Sequence, residues 1–189
     1  MNLYHDITIG SDDFSEINVV VEISKWGRVK YEFDYETGAI WVDRVGKTPI
    51  NYTFNYGDLP QSWNTGDNDP LDVIVLCSEA LAPGSVVPCR VIWWLKMIDS
   101  GEDDYKVLAV ADDKYYYGAE SVNDIDANEL ADIEYYMLHY KDIHGKRKKF
   151  LETGDFGSEN VELHGWDTKE AAIERIRQCH ADYKIKFNK

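Results

Sequence analysis

Seven short runs rich in Val, Ile, Tyr and Trp crowd the stretch from Val19 to about Ala111: VVVEI, VKYEFD, AIWVDRV, NYTFNY, DVIVL, VVPCRVIWWLKMI and YKVLAVA. Gly, Pro, Asp and Asn separate them, the punctuation expected between strands. That spacing predicts a small barrel or a strongly curved sheet. Two helical stretches follow. From about Ala127 to Lys141, Leu130, Ile133, Met137 and Lys141 recur at steps of three and four, with Tyr136 and Tyr140 on the adjoining face. From about Lys169 to Tyr183 an Asp167-to-Glu170 capping pattern opens a helix carrying Ala172, Ile173, Ile176 and His180 on one side. The expected order is β first, then α.

Length and composition narrow the function. The 189 residues suit one compact domain, read as residues 1–189, and a hydrophobic content of 44% is enough to bury a core, so the acidity does not signal disorder. Acidic side chains outnumber basic ones by 35 to 20, giving a formal charge of −15 that repels nucleic acid and anionic membranes. No basic segment leads into an apolar run at the N-terminus, and nowhere do about eighteen apolar residues follow one another. Cys77, Cys89 and Cys179 are odd in number and widely spaced, which argues against a disulfide framework and a cysteine zinc site and suits a reducing cytosol.

The charge is unevenly spread. Between Ile50 and Asp113 stand eleven acidic residues and three basic ones, Arg90, Lys96 and Lys106, in the part of the chain where charge is hardest to bury. The densest group is Asp67-Asn68-Asp69-Pro70-Leu71-Asp72, which runs straight into Val73-Ile74-Val75-Leu76. Three carboxylates around a Pro of fixed φ, anchored by an apolar strand, can aim hard oxygen ligands at one point, as Mg²⁺ or Mn²⁺ requires. A calcium EF-hand would place Gly at the sixth position, where Asp72 stands. The plainer alternative is a solvated acidic turn. A second acidic turn, Asp99 to Lys106, could hold a metal and a phosphate oxygen together or be an ordinary hairpin. Upstream, Glu22 interrupts an apolar strand, and Lys30 and Glu32 share one strand face. Cross-strand ion pairing with Arg44 on a wet face is the simpler reading of these.

Other signals carry less. Gly46-Lys47-Thr48 lacks the upstream Gly of a phosphate-binding loop, Trp41 standing there instead. His5, His139, His144, His164 and His180 show no ligand spacing. The basic run Lys146 to Lys149 and the stretch Gly154 to Gly157 read as surface loops. Trp93-Trp94 and the other tryptophans suit core or subunit contacts.

Taken together, the segments resemble the soluble inorganic pyrophosphatases of the Mg²⁺-dependent, barrel-type family, family I, over most of the chain from about Val19 to Lys141. Asp67-Asn68-Asp69-Pro70-Leu71-Asp72-Val73 carries the likeness most strongly. Glu22, Lys30-Tyr31-Glu32, Asp43-Arg44, Asn55-Tyr56-Gly57, Leu95-Lys96-Met97, Asp99, Asp104, Lys106 and Tyr140-Lys141-Asp142 fall around it in the family's order. Asn68 stands where many members have Gly, Thr53 where Pro is common, and the segment Gly145 to Trp166 is longer than in compact bacterial members.

The resemblance implies an α+β, mainly β fold: a small closed five-stranded barrel of the OB type with two C-terminal helices packed on it. It implies hydrolysis of pyrophosphate to two orthophosphates by metal-activated water attacking phosphorus in line, with several Mg²⁺ per site and Mn²⁺ or Zn²⁺ as substitutes. It assigns Asp67, Asp72, Asp99 and Asp104 to metal, Glu22 and Glu32 to metal mainly through water, and Asp69 to the general base, with Tyr56 beside the nucleophile. Lys30, Arg44, Tyr56, Lys106, Tyr140 and Lys141 would hold the substrate. A cytoplasmic homo-oligomer, hexamer rather than dimer, without nucleic acid or membrane as partner, completes the expectation. The alternatives are an OB-type nucleic-acid or ligand-binding module with a structural metal, which predicts a basic aromatic groove, and a catalytically dead relative, disfavoured because no matched charged position is lost.

Overall fold

The computed structural model describes residues 1–46, 48–112, 119, 121–141, 151 and 161–189. Nine strands and three α-helices are defined among them: β1 Glu16–Ile23, β2 Val29–Phe33, β3 Ile40–Val45, β4 Asn55–Asn64, β5 Asp69–Leu76, β6 Val86–Asp99, β7 Glu102–Asp103, β8 Lys106–Ala111 and β9 Val161–Asp167, with α1 Leu3–Asp6, α2 Ala127–His139 and α3 Lys169–Phe187. Lys47, Asp142, His144, the run Lys146 to Lys149, the stretch Gly154 to Gly157 and most of the segment Gly145 to Trp166 lie outside the described residues.

Five strands close a barrel in the order β1-β4-β5-β8-β6, with β6 pairing back onto β1. Only β5 and β8 run parallel, so the barrel is mixed. The expected β-then-α order holds for the barrel and the two C-terminal helices, with the short α1 before the barrel and β9 between the helices. The runs read as strands also explain why the barrel fills itself. Ile17, Val19, Val21 and Ile23 of β1, Leu71, Val73 and Val75 of β5, and Val107 and Ala109 of β8 are almost wholly excluded from solvent. Strands covered on both faces need apolar residues at successive positions, and β8 is buried throughout. The outer face is covered by α3 through Ala172, Ile176 and Cys179, while Tyr4, Val20, Phe33, Trp63 and Tyr183 form a second apolar cluster. All three cysteines are buried and free.

Three local expectations change. The run NYTFNY becomes strand only at Asn55 and then continues to Asn64, because Tyr52 and Phe54 turn out of the ladder to stack against Tyr136 at centroid distances of 4.3 and 5.5 Å. Thr168, not Asp167, caps α3: its side chain accepts the Ala171 N–H, whereas Asp167 ends β9 and pairs with Lys96 at 3.4 Å. β9 itself, in a stretch for which no strand was expected, adds an antiparallel edge to β6. The hairpin β2–β3 stands apart from the barrel as its own two-stranded sheet.

Gly57 fixes how closely β1 and β4 approach. A Cβ there would lie 2.0 Å from the Val20 carbonyl oxygen, so no other residue fits. Asn68 has φ +61°, the left-handed conformation in which Asn readily replaces Gly.

Candidate active site

One cleft of about 370 Å³ opens at the ends of β4, β5 and β8, walled by the hairpin β2–β3 and by the C-terminal end of α2. The loop between β4 and β5 delivers Asp67, and β5 itself carries Asp69 and Asp72; the β6–β8 connection delivers Asp99 and Asp104. The turn Ser100-Gly101, with φ of 56° and 90°, reverses the chain between those two carboxylates. Lys30 and Arg44 are cross-strand partners on β2 and β3 and both face the cleft. Tyr140 and Lys141 enter from the end of α2, and Lys106 and Tyr56 form the floor. Eleven of the thirteen residues expected at the site therefore converge on this cleft: Lys30, Arg44, Tyr56, Asp67, Asp69, Asp72, Asp99, Asp104, Lys106, Tyr140 and Lys141 line it, Tyr56 serving two of the expected roles.

Glu22 and Glu32 do not line it. Glu22 is buried beneath the hairpin at 3% exposure and accepts the Phe33 N–H at 2.8 Å. Glu32 lines a shallower hollow beside the cleft and pairs with Lys30 at 3.1 Å. The simpler reading, cross-strand ion pairing on a wet face, does not describe these residues: Lys30 and Glu32 pair along one strand, Arg44 pairs with its neighbour Asp43 at 2.9 Å, and Glu22 is buried.

The electrostatics follow from crowding carboxylates. Burial, with the Asp72 charge next in importance, pushes Asp67 up to about 6 and Asp69 up to about 7. Burial raises Asp104 as well, Lys106 opposing it, and burial with Glu32 pushes Glu22 up to about 8 against the pull of Lys30. Lys106, only 3% exposed, sits between Asp72 and Asp104 and pairs with both. Burial alone would lower its pKa, but the two carboxylates outweigh that and raise it. Asp99 behaves differently. Burial works against its charge, yet Lys141 pairs with it and Tyr140 donates to it at 3.1 Å, which holds its pKa below the usual range.

A second cavity of about 220 Å³ adjoins the first and shares Lys30, Arg44, Tyr140 and Lys141 with it. Arg28 joins them there, and no carboxylate lines it among the described residues. The site is therefore polarised, with hard oxygen donors at one end and cations at the other. Carboxylates without thiol or imidazole in the lining suit a hard divalent cation, and the upward shifts of Asp67, Asp69 and Asp104 measure how much a cation there would relieve. Among the described residues no three such side chains form a closed ligand cluster, and the Lys106 ammonium sits between two of the carboxylates.

Three functional neighbours escaped the sequence reading. Tyr52 and Tyr136 line both cavities. Tyr136 was visible one turn before Tyr140 on the same helix face, and Tyr52 shares its alternation with Phe54 and Tyr56. Asp58 on β4 lies opposite Asp72 in the β4–β5 register and opposite Val20 in the β1–β4 register. Burial, then Glu22 and Asp72, raises its carboxyl well above the ordinary range. Its signal was parity with Tyr56 on one strand.

Comparison with known proteins follows the same outline. The family model described as inorganic pyrophosphatase matches residues 19–184. An inorganic pyrophosphatase of Xanthomonas campestris is 39% identical over 184 residues, which cover 93% of this chain and 96% of the relative. Among solved structures, an inorganic pyrophosphatase from Coxiella burnetii superposes with a TM-score of 0.81 at 32% identity, over 94% of this chain and all of its own. One from Thermus thermophilus gives 0.81 at 31% identity, over 97% and 99%.

Proposed function

The chain belongs to the inorganic pyrophosphatase family and hydrolyses pyrophosphate to two orthophosphates, and we propose that it does so with Mg²⁺ held by Asp67, Asp72, Asp99 and Asp104. The observation that carries the residue assignment is the shared cleft, in which Asp67, Asp72 and Asp104 lie with Lys30 and Arg44 while Lys141 closes on Asp99. Mn²⁺ or Zn²⁺ would substitute at the same oxygens. A divalent cation bound there supplies positive charge against the phosphates and lowers the pKa of the water it holds.

The chain's own groups do the rest. Pyrophosphate is a dense anion, and its repulsion of a nucleophile is the barrier to overcome. Lys30, Arg44 and Lys141 hold phosphate oxygens at the cationic end, Arg44 with the planar fork that grips two oxygens and the lysines as point charges. Tyr140 donates a further hydrogen bond. Lys106 pairs with Asp72 and Asp104, and with cations on those oxygens its ammonium would be free to hold a phosphate oxygen. Asp69, at the open edge of β5 between two ligand positions, accepts the proton of the attacking water. Tyr56 is buried and its pKa is raised by burial and by Asp72, so it stays a neutral hydroxyl donor beside the nucleophile. Glu22 and Glu32 do not line the cleft and would act on the cations only through water.

We extend the proposal to the whole protein: one domain over residues 1–189, acting in the cytoplasm as a homo-oligomer, hexamer rather than dimer, with no nucleic-acid or membrane partner. Among the described residues no helix is long and apolar enough to cross a membrane. The exposed apolar side chains Trp26, Trp41, Val42 and Val45 support self-association. Light scattering would measure it.

The decisive assay is phosphate release from pyrophosphate with Mg²⁺, with chelator and with Ca²⁺. Release in Mg²⁺ that chelator abolishes is expected. Undiminished release in chelator would remove the metal assignment.

A further inference from the structure

A side-chain relay runs from the C-terminal helix to the loop that carries Asp67. Arg175 on α3 donates from Nη2 to Asn64 Oδ1 at 2.6 Å, spanning 111 positions of sequence. The Gly66 N–H donates to that same oxygen at 3.1 Å. Asn64 Nδ2 then donates to Asp67 Oδ2 at 2.8 Å, and the Asp69 N–H donates to Asp67 Oδ1 at 3.1 Å. We propose that Arg175 is a positioning residue for catalysis: acting through Asn64, it sets which lone pairs of Asp67 face the cleft. The proposal rests on the assignment of Asp67 as a metal ligand.

The chemistry of the relay fixes its direction. A guanidinium and a backbone N–H can only donate, so the amide end they meet must be the carbonyl oxygen of Asn64. The amide nitrogen is thereby turned toward the carboxylate, which can only accept when ionised. Each Asp67 oxygen receives one hydrogen bond from the protein, and the remaining lone pairs are left for the cleft. Without Arg175 the amide oxygen keeps only the Gly66 N–H, so the amide is less firmly fixed and its Nδ2 no longer holds the Asp67 carboxylate in one orientation.

Docking of α3 does not depend on this arginine. Ala172, Ile176, Cys179 and Tyr183 are buried against the barrel, and His180 Nδ1 lies 2.7 Å from the Gln61 carbonyl oxygen. Arg175 instead reaches past the helix seam to a buried amide, Asn64 being only 4% exposed. Removing it therefore separates ligand positioning from helix packing.

The test uses the full chain and three variants, Arg175→Ala, Arg175→Gln and Asp67→Asn. Mg²⁺ binding is titrated calorimetrically without pyrophosphate, and phosphate release is followed against Mg²⁺ concentration. Groups that hold a metal ligand in place commonly govern affinity by about 10- to 100-fold, and one link further back an Arg175→Ala loss of about three- to tenfold is expected. KM for pyrophosphate at saturating Mg²⁺ should stay within about twofold of wild type, and excess Mg²⁺ should restore kcat, since the phosphate-gripping cations are untouched. Arg175→Gln keeps a donor and most of the stem, should bind Mg²⁺ between wild type and Ala, and serves alone if the Ala variant does not fold. Wild-type Mg²⁺ affinity in either folded Arg175 variant, with only thermal stability lowered, would overturn the relay. If Asp67→Asn leaves Mg²⁺ affinity unchanged, the ligand assignment fails and the relay with it.

Discussion

Asp69 shows how a single residue's role depends on its neighbours. It stands between two proposed ligands, its carboxyl raised to about 7 by burial, Asp72 and Glu32, so that the metal-free protein binds a proton there near neutral pH. A group of that affinity at the cleft edge is suited to accept a proton from water. Asp69→Asn keeps the shape and removes the acceptor. It should lower kcat by about 10²- to 10⁴-fold, the usual worth of a positioned base, while calorimetric Mg²⁺ affinity changes only a few-fold. A variant hydrolysing pyrophosphate at the wild-type rate would move the base elsewhere. The acidic motif, its flanking cations and Tyr56 were legible in sequence because charged residues interrupting apolar strands have few other uses. Tyr52, Tyr136 and Asp58 were not, because an aromatic near a strand or helix looks like core until the fold shows which face it lies on. Arg175 and Asn64 were invisible for a plainer reason, since only the packing of α3 on the barrel brings them together.

Elements here are held in register by backbone contacts as much as by side chains. β1 and β4 meet at Gly57, directly after Tyr56 and before Asp58, with the Val20 carbonyl where a Cβ would go. Gly57→Ala must push the strands apart, and overpacking of this kind costs about 1–3 kcal/mol or more. Chemical denaturation should show at least that loss, with reduced activity as Tyr56 shifts from its β1 partner Ile23; a loss below about 0.5 kcal/mol would mean the strands yield freely. The barrel strands were legible because they are buried on both sides and so carry continuous apolar runs. β4 was misjudged at its start, since Tyr52 and Phe54 have strand-like composition but are used as an aromatic bridge to α2. β9 was missed because Val161–Asp167 mixes polar residues with apolar ones and has none buried, an edge strand whose pairing with β6 depends on tertiary placement. The cap of α3 slipped by one residue because Asp167 and Thr168 are both good caps, and the strand claimed the first.

At the scale of the whole molecule, six of the 35 acidic side chains line one cleft, and the repulsion among them and their buried neighbours has a cost in stability. In the metal-free protein, burial and mutual repulsion raise Glu22 to about 8, Asp69 to about 7 and Asp67 to about 6, and raise Asp58 and Asp104 as well. Unfolded, all of them titrate near pH 4. Between about pH 4.5 and 8 the folded state thus binds more protons than the unfolded state, and the linkage relation makes stability fall as pH rises through that window. His5 works the other way: burial depresses its pKa, so it regains stability as pH climbs through its ordinary value, but it is one group against five. Groups held below their ordinary range, such as Asp99 and Asp34, change stability only at lower pH. Glu22, the most deeply buried of the five, contributes roughly 2–4 kcal/mol of loss across the window. At about 2–4 °C per kcal/mol for a chain of this size, Tm in chelator should drop by about 5 °C or more between pH 5.5 and 8. Mg²⁺ should reverse this, because a cation among the carboxylates lowers their pKa values and stabilises the folded state by mass action. Scanning calorimetry at both pH values, with Mg²⁺ and with chelator, reads the effect. The Mg²⁺-induced rise in Tm should be larger at pH 8 than at pH 5.5, since protons and metal compete for the same oxygens. An equal rise at both would mean that the metal binds away from the raised carboxylates, and a Tm in chelator that climbs with pH would mean that those carboxylates are not strained.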